Sequence, residues 1–267
     1  MLSQVYDSCM PYQSELAVAR AAAREAGALA LHYQGKVDPE IKSDNSPVTK
    51  ADKESEHLIS SLLSVQFADD GLLGEEGAAR ESKSGRRWII DPIDGTRDFV
   101  RGNPLWGVLI GLEDHGEVVV GVAHFPGLGR MYSAAIGEGA WRDGERIQAS
   151  SKSRFDESVL MVNGCSFIEG SQMGERIAST LVHDFTKFWA VRSLGGSIDA
   201  CMVASGEAEV WLEPKVAPWD LAAHKIILEE AGAKFLTLDG GSAIDAGHAI
   251  GCSAGVEGAV RKWLNIP

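Results

Sequence analysis

The chain has 267 residues, of which 45% are hydrophobic and 24% charged, which is enough apolar sequence to bury a large core as one domain or two. Its formal net charge of −13 argues against a nucleic-acid backbone or an anionic membrane as partner, but not against a phosphorylated small molecule held through metal ions. The four cysteines, Cys9, Cys165, Cys201 and Cys252, are scattered with no CxxC, as free thiols in a reducing cytoplasm would be. No signal-peptide pattern heads the chain, and no apolar run is long enough for a membrane span.

Ser14 to Tyr33 is Ala-rich and predicts a helix, with Leu16, Ala19, Ala23, Ala26 and Ala30 on a small-residue face that another helix can approach closely. Gly35 to Pro47 is polar with two prolines and reads as a loop, in which Lys42 is either solvated or poised over a site. Thr49-Lys50-Ala51-Asp52 fits a capping box opening a second helix with the stripe Leu58, Ile59, Leu62 and Leu63. Asp52 is either that cap or a carboxylate orienting a water beside a metal site, and on local sequence the cap accounts for it. Leu72-Leu73-Gly74-Glu75-Glu76-Gly77 then sets two acids between glycines, a solvated turn or a bend that brings a carboxylate up to a cation.

Trp88-Ile89-Ile90 is a short buried strand that the chain is expected to leave through a stiff turn, Asp91-Pro92-Ile93-Asp94-Gly95-Thr96. Asp, Pro and Gly are also ordinary turn formers. Two carboxylates facing one point nevertheless repel unless protonated or neutralised, and a hard divalent ion is the usual solution. From Pro104 to Ile147 the pattern is an antiparallel meander, which with the two helices makes an α+β half over residues 1–150. Residues 151–267 alternate strand and helix as an α/β half, with a helix from Asp220 to Ala231 stopped at Gly232. No flexible linker separates the halves, so they are expected to pack as one rigid body. Asp220, in the first turn of its helix, is either a dipole partner or a third acid for the Asp91 site, and His224 on the same face reads as packed or solvated.

The nucleophilic-aspartate signature, Asp-x-Asp before Gly-Thr, is missed because Pro92 stands two before Asp94. GxSxG and HExxH are absent too. Metal-assisted hydrolysis remains, with Thr96 positioning a water and the N–H groups of Gly95 and Thr96 receiving a phosphate.

Taken together, Gly74-Glu75-Glu76, Trp88 to Thr96 and Trp219-Asp220-Leu221-Ala222-Ala223, with Ser46-Pro47-Val48-Thr49-Lys50-Ala51-Asp52, resemble the inositol monophosphatase superfamily over nearly the whole chain. The resemblance implies a five-layer αβαβα sandwich, a homodimer, and Mg²⁺-dependent, Li⁺-sensitive hydrolysis of phosphate monoesters, with two or three ions per site and Mn²⁺ as a substitute. By the same resemblance Glu75, Asp91, the Ile93 carbonyl, Asp94 and Asp220 hold metal. Asp52 and Thr96, with Glu75, activate the water. Asp94, Gly95, Thr96, Glu213, Arg192 and Ser197 face the substrate, and Lys42 matches a flap lysine displaced by one residue. Arg97-Asp98-Phe99-Val100-Arg101-Gly102-Asn103-Pro104-Leu105-Trp106-Gly107, like the Ser-Pro-Val-Thr-x-Ala-Asp form of residues 46–52, is similar to the branch that dephosphorylates histidinol phosphate in histidine biosynthesis. Histidinol is a cationic alcohol that Glu213 and Asp98 would complement. The alternatives are inositol 1-phosphate, a broader range of sugar or nucleotide phosphates, and a non-catalytic regulatory relative.

Overall fold

The computed structural model describes residues 11–43, 45–163, 170–195 and 197–267, so Cys9, Cys165 and Gly196 fall outside the described residues. Helix α1 (Gln13–Tyr33) and helix α2 (Lys50–Gln66) lie against each other through fully buried alanines, Ala19, Ala22, Ala23, Ala26 and Ala30. The stretch between them, expected to be a loop, contains a two-rung hairpin of β1 (Glu40–Ile41) and β2 (Pro47–Val48). Two rungs are too few to leave an alternation in the sequence, and Pro47 tolerates the edge position because its ring nitrogen owes the ladder no donor.

An eight-stranded sheet follows. It is built from β3 (Gly71–Gly74), β4 (Ala79–Arg80), β5 (Arg86–Asp94), β6 (Gly107–Asp114), β7 (Glu117–Phe125), β8 (Arg130–Ala135), β9 (Gly139–Arg142) and β10 (Glu145–Ile147), in the order β10-β9-β8-β7-β6-β5-β3-β4. The meander from β5 to β10 is antiparallel as expected, whereas β3 pairs parallel to β5. Strand β5 does not end at Ile90. It runs on to Asp94 through a shift of register between Asp91 and Asp94, and Pro92 occupies this irregular stretch, where its missing N–H breaks no ladder bond. Helix α3 (Thr96–Val100) starts immediately after it.

The second sheet takes β11 (Val159–Val162), β12 (Ala190–Arg192), β13 (Val210–Glu213), β14 (Ala233–Leu236) and β15 (Ala249–Ser253) in the order β12-β11-β13-β15-β14, with α4 (Gln172–Asp184), α5 (Ile198–Ala204), α6 (Pro218–Glu230) and α7 (Glu257–Leu264) between and after them. It is mixed: β11 lies parallel to β12 and β13, and β15 antiparallel to β13 and β14.

Helices α1 and α2 cover one face of the larger sheet, α5 and α6 fill the space between the sheets, and α4 and α7 close the far face of the smaller one. The result is the αβαβα sandwich. Its middle helix layer is shared: Leu221, Ala222, Ala223 and Ile226 of α6 are buried in one cluster with Leu109 and Ala123 of the first sheet and Trp211 and Phe235 of the second. At about 1.5–3 kcal/mol for each fully buried large aliphatic or aromatic side chain, this layer alone ties the two halves of the chain together.

Candidate active site

The slipped segment of β5 makes the centre of the site. Within it Asp91 Oδ1 accepts the Ile93 N–H at 3.0 Å, an Asx turn that bends the main chain between the two acids. Gly95 then takes φ = 86°, a left-handed conformation open to glycine, and α3 begins at Thr96. Asp220 enters from α6, where its carboxylate reaches back to accept the N-cap Ala217 N–H at 2.7 Å. Carboxylate oxygens of Asp91, Asp94 and Asp220 lie within 4.8 Å of one another. Glu75, at the turn after β3, stands beside them, with its N–H held by the Ile90 carbonyl at 3.1 Å.

Two buried acids elsewhere in the chain show how such charge can be offset by a cation. Asp70 and Glu15 are also buried, but both pair with Arg86 at 2.8 Å. Asp91, Asp94 and Asp220 have no lysine or arginine partner among the described residues. Burial drives the carboxyls of Asp91, Asp94 and Asp220 upward, and the neighbouring acids add to the rise at Asp91 and Asp220. Three oxygen donors with unopposed charge around one point fit a hard divalent cation such as Mg²⁺ or Mn²⁺, and they lack the nitrogen or sulfur that would favour zinc.

Asp52 lies alongside with no exposed surface. One oxygen accepts the Thr49 N–H at 2.8 Å and the Thr49 hydroxyl at 2.6 Å, and the other faces the Thr96 hydroxyl at 3.2 Å. The expected cap is therefore formed, and the same carboxylate reaches the site. Thr96 Oγ1 is also 3.1 Å from the Ile93 carbonyl, which brings that carbonyl to the same point. Lys42 is not left in solvent. Its ammonium contacts Glu75 at 3.0 Å and Glu76 at 2.7 Å, so the hairpin carrying it closes over one side of the cluster.

Beyond the acids opens a cavity of 410 Å³, whose walls include Asp94, Gly95, Thr96, Asp98, Glu213 and Asp220. Glu213 ends β13 and is 4% exposed; its carboxylate accepts from the Asn163 side chain at 2.7 Å, and burial raises its pKa well above the usual carboxylate range. Ser197, expected to face substrate, also ties the halves together: its N–H at 3.0 Å and its hydroxyl both donate to Asp94. Arg192 departs from expectation. It is exposed at the edge strand β12, donates to the Val191 carbonyl at 2.8 Å and does not line the cavity, although Ser193, Gly195 and Ser197 do. His224, on the same face of α6 as Asp220, is buried and lines the cavity as a neutral imidazole. Burial pushes its pKa down to about 3, and its Nδ1 lies 3.8 Å from Cys201 Sγ.

Two residues escaped the sequence reading. Asn163 follows β11 without a motif around it, and its role shows only once β11 is paired with β13. Glu56 is hidden in a helical run, and its partners lie 20 and 22 residues away on the Glu75 turn.

The family model described as the inositol monophosphatase family matches residues 12–264. The chain belongs to the inositol monophosphatase family. Among its relatives, a histidinol-phosphatase from Chlorobaculum parvum is 37% identical over 246 residues, covering 89% of this chain and 93% of that protein. A histidinol-phosphatase from Mycobacterium tuberculosis is 36% identical, over 94% of this chain and 98% of its own length. A Nus factor SuhB from Pasteurella multocida is 34% identical over 94% of each. Among solved structures, an inositol monophosphatase from Thermotoga maritima superimposes with a TM-score of 0.83 at 30% identity, covering 94% of this chain and 97% of that one.

Proposed function

We propose that the protein is a divalent-cation-dependent phosphate monoester hydrolase whose substrate is histidinol phosphate. The observation that carries the first part is the juxtaposition of three acids without a cationic partner and the buried Asp52–Thr96 pair. Glu75, Asp91, the Ile93 carbonyl, Asp94 and Asp220 would hold the metal, Mg²⁺ with Mn²⁺ as a substitute. Bound there, the cations supply the positive charge that the phosphate and the departing oxygen require.

The chain's own groups do the rest. The N–H groups that open α3, at Gly95 and Thr96, have no acceptor within the helix, and both residues line the cavity, where they would receive the phosphate. The Thr96 hydroxyl orients a water for in-line attack and relays its proton, taking one from the water as it passes its own to Asp52, whose carboxyl is raised by burial and so is a better base than an exposed aspartate. The new bond joins the water oxygen to phosphorus, the ester P–O bond breaks, and the leaving alcohol takes its proton from water. Glu75 carries part of this work beside its ligand role, and Lys42 neutralises it from the hairpin.

The substrate follows from the acids at the far end of the cavity. Glu213 and Asp98 line the cavity with carboxyl groups, and a leaving alcohol bearing an ammonium and an imidazole would supply the positive charge that draws the buried Glu213 into its ionised form. The relatives named histidinol-phosphatase support the same reading. Li⁺ sensitivity, a homodimer, a cytoplasmic location and a place in histidine biosynthesis belong to this proposal. The test is kcat/KM with Mg²⁺ for histidinol phosphate, inositol 1-phosphate, fructose 1,6-bisphosphate and 3′-phosphoadenosine 5′-phosphate. Histidinol phosphate is expected to lead, and a lead for either of the last two overturns the substrate. No phosphate release from any monoester favours a non-catalytic role instead.

A further inference from the structure

Helix α2 carries a second acid toward the site that the chemistry above does not use. Glu56 follows Asp52 by one turn, so both carboxylates leave the same face of the helix. Glu56 is 4% exposed and forms no ion pair among the described residues. Its oxygens are divided between two main-chain amides: Oε2 accepts from the Glu76 N–H at 2.8 Å and Oε1 from the Ala78 N–H at 2.7 Å. A buried carboxylate without a cation is costly unless hydrogen bonds satisfy it, and here both sets of bonds go to one turn.

That turn presents Glu75. Its base is closed by the Gly74 N–H on the Ala78 carbonyl at 2.7 Å, and the Glu75 N–H is fixed to Ile90, the residue before Asp91, at 3.1 Å. The backbone of Glu75 is thus tied on one side to the strand bearing Asp91 and on the other, through the next amide, to the helix bearing Asp52. Gly74 completes the device. A Cβ at this position would fall 2.2 Å from Glu56 Oε2, so the glycine keeps clear the space through which that carboxylate reaches the turn.

We infer that Glu56 is a positioning residue. It holds the turn of residues 75–78 so that the Glu75 carboxylate meets Asp91, Asp94 and Asp220 around one cation, and it makes Asp52 and Glu75 move together with α2. The inference rests on the metal reading of the site.

Calorimetric titration of the full-length chain with Mn²⁺, without substrate, tests it. Glu56→Gln, which keeps the shape but not the double acceptor, is expected to bind Mn²⁺ about 10-fold or more weakly with an unchanged circular dichroism spectrum. Glu56→Asp restores part of the loss, and Glu54→Gln, two residues back on the same helix, leaves binding unchanged. Because Glu56 acts through Glu75, the double variant Glu56→Gln/Glu75→Gln binds as Glu75→Gln alone does. Wild-type affinity in Glu56→Gln, or a fully additive loss in the double variant, overturns the inference. If Glu56→Gln does not fold, Gly74→Ala presses on the same carboxylate from the turn, and wild-type affinity in that variant overturns it equally. A wild-type chain that binds no Mn²⁺ removes the metal reading itself, whereas wild-type binding with an unaltered Glu56→Gln removes this inference alone.

Discussion

Asp91 is 1% exposed, and its nearest charged neighbours are acids. A side chain so placed is a burden on the fold, which the metal reading of the site explains. Asp91→Asn is therefore expected to act in opposite directions on stability and activity. In EDTA the variant should be more stable than wild type by about 1–3 kcal/mol, since a buried like charge is gone. With Mg²⁺ its turnover should fall at least ~100-fold, since a ligand is gone too. Thermal melts in EDTA and phosphate release with Mg²⁺ measure the two; a variant as active as wild type would falsify the metal assignment. Glu213→Gln separates substrate recognition from chemistry. It should lower kcat/KM for histidinol phosphate about 10-fold or more while changing the rate on p-nitrophenyl phosphate, which has no cationic group, by less than about threefold.

At the scale of elements, Ser197 holds Asp94 from the residue before α5, across the division of the chain near residue 150. Ser197→Ala removes the hydroxyl bond but keeps the N–H, so a drop in kcat/KM of about 10-fold with an unchanged melting temperature is expected; steady-state kinetics beside a melt would detect either failure. This contact also marks where sequence reading ends. Asp91, Asp94, Glu75 and Asp220 were legible because each sits in a short pattern of acids with Gly or Pro, and the long helices and the meander because their periodicity is local. The continuation of β5 to Asp94 was not, because a strand that slips register around Pro92 looks like a turn until its neighbour β6 is seen. Strand β3 was missed for a related reason: four residues, two of them glycine, are a strand only by virtue of pairing with β5. From its local sequence Asp52 was legible only as a cap, and the family resemblance alone marked it as a site residue, because its second oxygen is answered by Thr96, 44 residues away.

For the whole molecule, the acids make the fold sensitive to pH in a predictable direction. Burial and neighbouring acids raise Asp220 from 3.8 to about 7 in the folded chain, and Asp91 rises as well. An acid raised in this way favours the protonated folded form. Its contribution is complete below about pH 4 and is lost as pH rises through about 7. The melting temperature in EDTA should therefore fall from pH 5 to pH 8, more steeply in wild type than in Asp91→Asn, and saturating Mg²⁺ should flatten the slope by neutralising the cluster. Differential scanning fluorimetry across that range decides it; a wild-type slope equal to that of Asp91→Asn would mean that the cluster is not the source.

The order in which the acids occur along the chain has a consequence for synthesis. Glu75, Asp91 and Asp94 are translated early, and Asp220 emerges 126 residues after Asp94. Until then the ribosome-bound chain carries an acidic surface that has neither its last ligand nor the helix layer that buries it. A cation captured at that stage would meet only an open, hydrated half-shell and would be held weakly. On the metal reading, the full ligand set would exist only once α6 lies between the two sheets, so tight retention of an ion would report that the two halves have been assembled.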